Sequence, residues 1–356
     1  MSTDDKNLPG RELSRQAHSQ TGFSNANDLP SILKRYATAH RRTLVMSDYA
    51  LSVAKNKNLS NSLRFCGSLL TFRHFYTVDQ LRLHSAKFCR KHLLCPLCAI
   101  RRASRCLQSF IPKIEGVLGS NPHLSPYLVT LTVKNGPDLV ERFQHLVSAI
   151  SKMMQARRDA SKSGRPFVQF AHADGGLYSI EFKRGLNSGL WHPHVHMLWL
   201  CEQAPDPFKL SAEWYAFTGD SFIVDVSPFD ASKALATNLM EVLKYALKFS
   251  ELPVDDNWEA FESLSGRRLM ASFGSLYGLK APSDLNDDMT DLDHLPYVDL
   301  IYRFMAGHYS HQATEEPESL DDWVEANIRR HYKPAPLLGV SPIGGKPLRL
   351  RNRIAF

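Results

Sequence analysis

No stretch of this 356-residue chain approaches the ~20 consecutive apolar residues of a membrane-spanning helix, so a membrane role is set aside. Cysteine is scarce, with six residues in all, which is too few for a disulfide scaffold. The first thirty residues are polar and lack the basic-then-apolar pattern of a secretory leader. A reducing cytoplasm is therefore expected, where clustered thiols point to metal. No internal repeat is found, which excludes solenoid and propeller arrays. Acid is nearly missing from one segment. Between Asn61 and Lys113 only Asp79 opposes Arg64, Arg73, Arg82, Lys87, Arg90, Lys91, Arg101, Arg102, Arg105 and Lys113. Such a stretch suits a phosphate backbone, although a solvated basic face is the usual reading of a charge run.

The composition is that of a globular protein, 43% hydrophobic with a formal charge of +7, and the length suggests two or three modules. One segment stands out, Trp191-His-Pro-His-Val-His-Met-Leu198. Side chains alternate along a strand, so His192, His194, His196, Leu198 and Leu200 share one face, and Pro193, Val195, Met197 and Trp199 the other. Three imidazoles on one face point to a divalent metal, where a single one would pass as an ordinary histidine. Just before it, Leu177-Tyr-Ser-Ile-Glu181-Phe-Lys183 alternates in the same way, and Arg184 to Gly189 carries a turn signal. An even-length antiparallel hairpin pairs Phe182 with Pro193 and Glu181 with His194, so Glu181 either supplies a third ligand or orients a histidine. A slip of the loop would return Glu181 to solvent.

Residues 231–250 are rich in helix formers. Leu235, Leu239, Val242, Ala246 and Phe249 form an apolar stripe, and Glu241, Tyr245 and Lys248 a second one, with Lys244 at its edge. Alone, this reads as an amphipathic helix with a surface Glu–Lys pair. Beside a metal, the same stripe offers a nucleophile, a cation and a general base.

Four of the cysteines have ligand spacing. Cys95-Pro-Leu-Cys98 is a zinc-knuckle pair, Cys89 lies six residues before it, and Cys66 completes a set of four thiols, with His84 and His92 as alternative fourth ligands. Cys106 and Cys201 have no such spacing and read as core residues. Residues 31–56 read as a helix exposing Arg35, Arg41 and Arg42. The acidic run from Asp284 to Asp293 reads as a loop or boundary, an unfavourable place for DNA. Ser319-Leu-Asp-Asp322 resembles a capping box opening a helix through Arg330, followed by an extended basic tail.

Together these motifs resemble the plasmid rolling-circle replication initiators of the HUH endonuclease superfamily, in the subgroup with one catalytic tyrosine preceded by a glutamate. Leu128-Val-Thr-Leu-Thr-Val-Lys-Asn135 is similar to the first family motif, the histidine strand to the second, and Glu241-Val-Leu-Lys-Tyr245-Ala-Leu-Lys248 to the third. Cys66-Gly67 and Phe88 to Cys98 resemble the subgroup's cysteine region, and the likeness runs on to about Gly278, through Arg267-Arg268 and Phe273-Gly274. The resemblance implies His194, His196, Glu181 and, less centrally, His192 as ligands of a catalytic Mg2+ or Mn2+. It implies Tyr245 as nucleophile, Glu241 as base of the closing step and Lys248 as a phosphate or tyrosine partner. Cys66, Cys89, Cys95 and Cys98 would hold structural Zn2+.

The expected fold is α+β: an HUH-type antiparallel sheet with helices on one face, the histidine strand central, preceded by a small zinc module. The expected division is a polar N-terminal arm with one helix (1–60), a basic zinc-binding module (61–113), the endonuclease domain (114–280), and an acidic linker, helix and basic tail (281–356). The implied partners are plasmid origin DNA, single-stranded at the nick, and a host helicase and DNA polymerase in a bacterial cytoplasm, with room for a homodimer. Two rivals are a relaxase or transposase of the same superfamily, and a non-catalytic zinc protein that binds DNA.

Overall fold

The computed structural model describes residues 24–162, 167–185, 187–243 and 248–316. Met1–Glu315 forms one compact unit and Glu316–Phe356 a second, so the capping box at Ser319 and the basic tail lie outside the described residues.

Two antiparallel sheets organise the first unit. The first has four strands: β1 (Leu69–Phe75), β2 (Gln80–Ala86), β8 (Val298–Met305) and β9 (His308–Glu315), in the order β2-β1-β8-β9. The second has five: β3 (Ser125–Thr132), β4 (Ala173–Arg184), β5 (Trp191–Cys201), β6 (Val224–Pro228) and β7 (Met270–Gly274), in the order β6-β3-β5-β4-β7. The histidine strand β5 is therefore central, as expected. Residues 298–315, read from the sequence as part of a linker and tail, instead complete the sheet begun by the cysteine-bearing module, with Leu69 opposite Arg303.

Helices begin where the sequence supplies caps. Helix α1 (Leu29–Ser52) has Pro30 in its first turn. Asn56 caps α2 (Lys57–Arg64) by accepting from Leu59 N. In α3 (Pro96–Ser120) the cap is the Cys95 thiol, which accepts from Cys98 N at 3.4 Å. Asp138 caps α4 (Leu139–Ala160) and Asp206 caps α5 (Pro207–Thr218). Gly219, at φ +80°, ends α5 in the left-handed region. Two further helices follow, α6 (Leu235–Leu243) and α7 (Val254–Leu264).

The α+β class and the antiparallel sheet hold, and helices cover both sheet faces rather than one. Helix α4 packs on the side of Phe182, whose ring lies 6.3 Å from that of Phe143. Helix α6 packs on the other side, against β4 and β5, where Leu198 and Leu200 continue the histidine face as apolar surface that needs cover. The core of the α4 side is centred on Trp191, Trp199, Trp214, Phe170 and Phe182, all fully buried.

Two further sequence readings change. Arg35 does not face solvent but is buried at 5% exposure, its guanidinium 5.7 Å from the Tyr36 ring, where burial lowers its pKa. The acidic run is no free boundary either. The Asp287 side chain, 7% exposed, is ion-paired with Arg101 at 2.6 Å, and its other oxygen accepts from Leu83 N at 2.7 Å. Asn286 accepts from Ala86 N, and Asp291 meets Arg82 at 3.2 Å. The acidic segment is thus a strap bound along β2 and α3.

Candidate active site

The hairpin register sets the site. Glu181 pairs with His194 and Phe182 with Pro193, as the loop spacing predicts. Opposed residues share a face, so Glu181, His194 and His196 converge, and one potential ligand atom from each lies within 4.8 Å of the others. Glu181 Oε2 is 3.3 Å from His194 Nε2 and 3.6 Å from His196 Nε2. The two imidazole rings stand nearly perpendicular, 4.9 Å apart.

Both Glu181 oxygens are buried without a hydrogen bond, and the side chain is 0% exposed. Burial alone would push its pKa up, but the two imidazoles outweigh burial and hold it well below the usual carboxylate range. An ionised, buried carboxylate without an Arg or Lys partner is costly unless a cation meets it. The imidazoles are turned to help. His196 Nδ1 bonds Thr130 Oγ1 at 3.0 Å, and His194 Nδ1 lies 3.4 Å from the carbonyl of His192. Both contacts leave Nε2 facing Glu181, the arrangement of a metal-ligating histidine held by an outer partner. One carboxylate and two imidazoles thus fit a divalent ion.

His192 is not in this group. Its Nδ1 bonds Asn135 Oδ1 at 2.6 Å, and burial, then His194 and Lys183, lowers its pKa. Thr130 and Asn135 were not singled out as site residues by sequence. The signal was within reach, since Thr130 lies opposite His196 across the β3–β5 ladder.

Helix α6, which carries Glu241, packs on the same face. The Ser179 hydroxyl donates to the carbonyl of Val242, and Ser179 stands two residues before Glu181 on β4. Regular helix begins at Leu235 rather than at 231, because Asn238 and Asp230 fold the preceding residues into a turn: Asn238 Oδ1 accepts from Asp230 N and its amide donates to the Asp230 carbonyl. Glu241 is half-buried in the last described turn of α6, and Tyr245 and Lys244 lie outside the described residues. Lys248 is half-buried and pairs with Glu251 at 3.4 Å.

The thiols of Cys66, Cys89, Cys95 and Cys98 form a second cluster. Cys66 Sγ is 3.5 Å from both Cys95 Sγ and Cys98 Sγ, and Cys89 Sγ is 3.5 Å from Cys98 Sγ. Tetrahedral zinc with bonds of ~2.3 Å spaces its sulfurs by about 3.8 Å, so the four are arranged as ligands. Gly67 makes the first of them possible. It adopts φ +66°, a Cβ there would collide with Leu97, and its carbonyl accepts from the buried Tyr309 hydroxyl at 2.6 Å. Burial works against a thiolate at Cys95, but the three neighbouring thiols and Thr43 hold its pKa well below the ordinary value. His84 and His92 are not in the cluster. Burial, then Arg102, pushes His92 down to about 4. Cys106 and Cys201 are buried apart from it, and burial pushes each thiol up to about 12.

The basic segment is less available than its composition suggests. Arg101 and Arg82 are buried against the acidic strap, and Arg73 is paired with Asp299 at 2.9 Å. Among the described residues no helix is long and apolar enough to cross a membrane.

Residues 80–299 match the protein family described as "Replication protein". The chain is 25% identical over 249 residues to "Protein rep" of Streptococcus pneumoniae serotype 2 (strain D39 / NCTC 7466), covering 66% of this chain and 75% of that one. It is likewise 25% identical over 259 residues to "Protein rep" of Lactiplantibacillus plantarum, covering 66% of this chain and 78% of that one. No solved structure gives a significant match.

Proposed function

The chain belongs to the Replication protein family, the plasmid replication initiators, and from that premise we propose that it starts rolling-circle replication by nicking one strand of the plasmid origin. The observation that carries this reading is the buried Glu181 carboxylate, unsatisfied and flanked by two oriented imidazoles. Glu181, His194 and His196 would hold a divalent cation, Mg2+ or Mn2+, which when bound polarises the scissile phosphate. Thr130, bonded to His196 Nδ1, would keep that ring in a ligating orientation. His192, held by Asn135, lies beside the ligands and would contact substrate or complete the coordination.

In this reading the Tyr245 hydroxyl attacks phosphorus. The bond from phosphorus to the 3′ oxygen breaks, the 5′ phosphate stays on the tyrosine, and the released 3′-hydroxyl takes up a proton. The Lys248 ammonium would lower the cost of the phenolate or bind the phosphate. That 3′ end primes a host polymerase, with a host helicase opening the duplex. Glu241 would later activate water to cut the regenerated origin, and the freed 3′-hydroxyl would attack the phosphotyrosine and close the circle. Zn2+ on the four thiols would hold the 61–113 module, ahead of a 114–280 endonuclease domain. A bacterial cytoplasm is the setting this reading requires, and a second subunit could supply a second tyrosine.

The test is a labelled single-stranded origin oligonucleotide incubated with protein, with and without Mn2+, then run on a denaturing gel. A metal-dependent covalent adduct that maps to Tyr245 and vanishes in Tyr245→Phe, with DNA binding retained, is expected. Absence of any adduct from folded, metal-loaded protein would move the function to a non-catalytic DNA-binding role.

A further inference from the structure

A groove of about 860 Å³ runs between the cysteine-bearing loop and the edge of the five-stranded sheet. Six cations line it: Arg90, Lys91, Arg102, Arg267, Arg268 and Lys280, and none of its lining residues is acidic. Arg90, Lys91, Arg267, Arg268 and Lys280 are all exposed. At the rim stands Tyr277, 79% exposed, on a turn that Lys113 tethers by donating to the Tyr277 carbonyl at 3.1 Å.

We propose that this groove binds single-stranded DNA and leads it to the Glu181–His194–His196 cluster. Cations lining a groove beside an exposed aromatic ring are the equipment for tracking a phosphate backbone while stacking a base, without sequence preference. The sheet sets the direction. Met270, in the groove wall, pairs with Ser179, so its side chain shares the face of Ser179 and Glu181. A strand lying along β7 therefore enters on the metal-binding side of the sheet. The cysteine cluster sets the opposite wall. Arg90 and Lys91 sit between Cys89 and Cys95, and Arg90 is held at φ +59°, a conformation unfavourable for a non-glycine residue. The four thiols would thus fix two phosphate contacts as well as the module's own fold.

The inference deepens the nicking reading and rests on it for what the strand is led towards. Its test reads binding alone. The full chain carrying Tyr245→Phe would be titrated with a fluorescent oligothymidylate at several salt concentrations, without added divalent ions. Each phosphate contact with a single strand contributes a slope of roughly 0.7 in log affinity against log salt. Lys91→Ala, Arg268→Ala and Lys280→Ala together should lower that slope by about 2. Tyr277→Ala should weaken binding at least roughly fivefold while leaving the slope unchanged. An unchanged slope in the triple variant overturns the proposal, and so does tighter binding of duplex DNA that loses the same slope. Repeating the triple substitution with Tyr245 intact, on an oligonucleotide spanning the nick, keeps the two readings apart. A lowered slope with no adduct from any DNA supports the groove and sinks the nicking reading. An adduct with an unchanged slope sinks the groove alone.

Discussion

Glu181→Gln gives the sharpest physical test of the metal centre. In the metal-free protein Glu181 is an ionised carboxylate at 0% exposure with neither oxygen hydrogen-bonded, offset only by imidazoles at 3.3 and 3.6 Å. Glutamine keeps the shape and removes the charge. The imidazoles favour the ionised carboxylate in the fold, so without added ion the variant should melt at or below the wild-type temperature. Added Mn2+ should widen the gap. An ion at one hundred times its dissociation constant stabilises the folded state by ~2.7 kcal/mol. At ~2.1 cal/mol/K per residue, the Met1–Glu315 unit has an unfolding entropy of about 0.7 kcal/mol/K, so the melting temperature should rise on the order of 4 °C. The assay is calorimetry on dialysed protein with Mn2+ added and no chelator, which leaves the thiol cluster undisturbed. Wild type should gain the full increment and Glu181→Gln almost none. Equal increments in the two proteins would refute the idea that Glu181 is a ligand, whatever the nicking assay reports.

Four other outcomes are expected. Glu241→Ala should leave first-strand nicking intact and impair termination on a plasmid carrying two origins, and equal loss of both would remove its assigned role. Cys95→Ser should abolish stoichiometric zinc, measured by atomic absorption, whereas Cys106→Ser should keep it, because Cys106 lies outside the cluster. Asp287→Ala leaves Arg101 buried and unpaired and should cost about 3–5 kcal/mol in denaturant unfolding. The pair Arg101→Met with Asp287→Leu should recover most of that. Burial raises the Asp287 pKa, but Arg101 and the hydrogen bonds from Leu83 and Gln108 outweigh it and hold the carboxyl below its ordinary value. Its stabilising contribution is therefore present above about pH 4 and lost as pH falls through the lower folded value. Acid unfolding of wild type should show that loss, and Asp287→Asn should flatten it.

The local geometry of the site was legible because it depends on period and spacing. Alternation fixed the histidine face, and an even loop fixed Glu181 opposite His194. The cysteine set was legible for the same reason, since a CxxC turn, Cys89 six residues before it and the distant Cys66 supply the four thiols of a tetrahedron. Long-range partners were not. Nothing near Asp287 in sequence announces Arg101, and nothing near Val298 announces β1, because such pairings depend on how separate segments dock. Arg35 was misplaced for a related reason. A helix packed on several sides buries residues that a single apolar stripe assigns to solvent, and a guanidinium tolerates this when an aromatic face lies beside it. Thr130 was overlooked as a site residue because its importance comes from its neighbour across the ladder and not from its own segment.

The four-stranded sheet has a consequence for synthesis on the ribosome. Its inner strand β1 is made early, while its partner β8 and the outer β9 are among the last described residues, with Tyr309 sealing the Gly67 carbonyl. Until those strands emerge, β1 keeps an open edge and Gly67 lacks its cover, so the cysteine-bearing region is translated well before it can be finished. A chain cut short before Val298 would carry all four clustered cysteines and the Glu181–His194–His196 group yet display an unpaired strand, and it should aggregate or be degraded instead of persisting as a truncated fragment. Dose control would then follow from topology alone, because only a chain translated to the end of β9 would be a durable one.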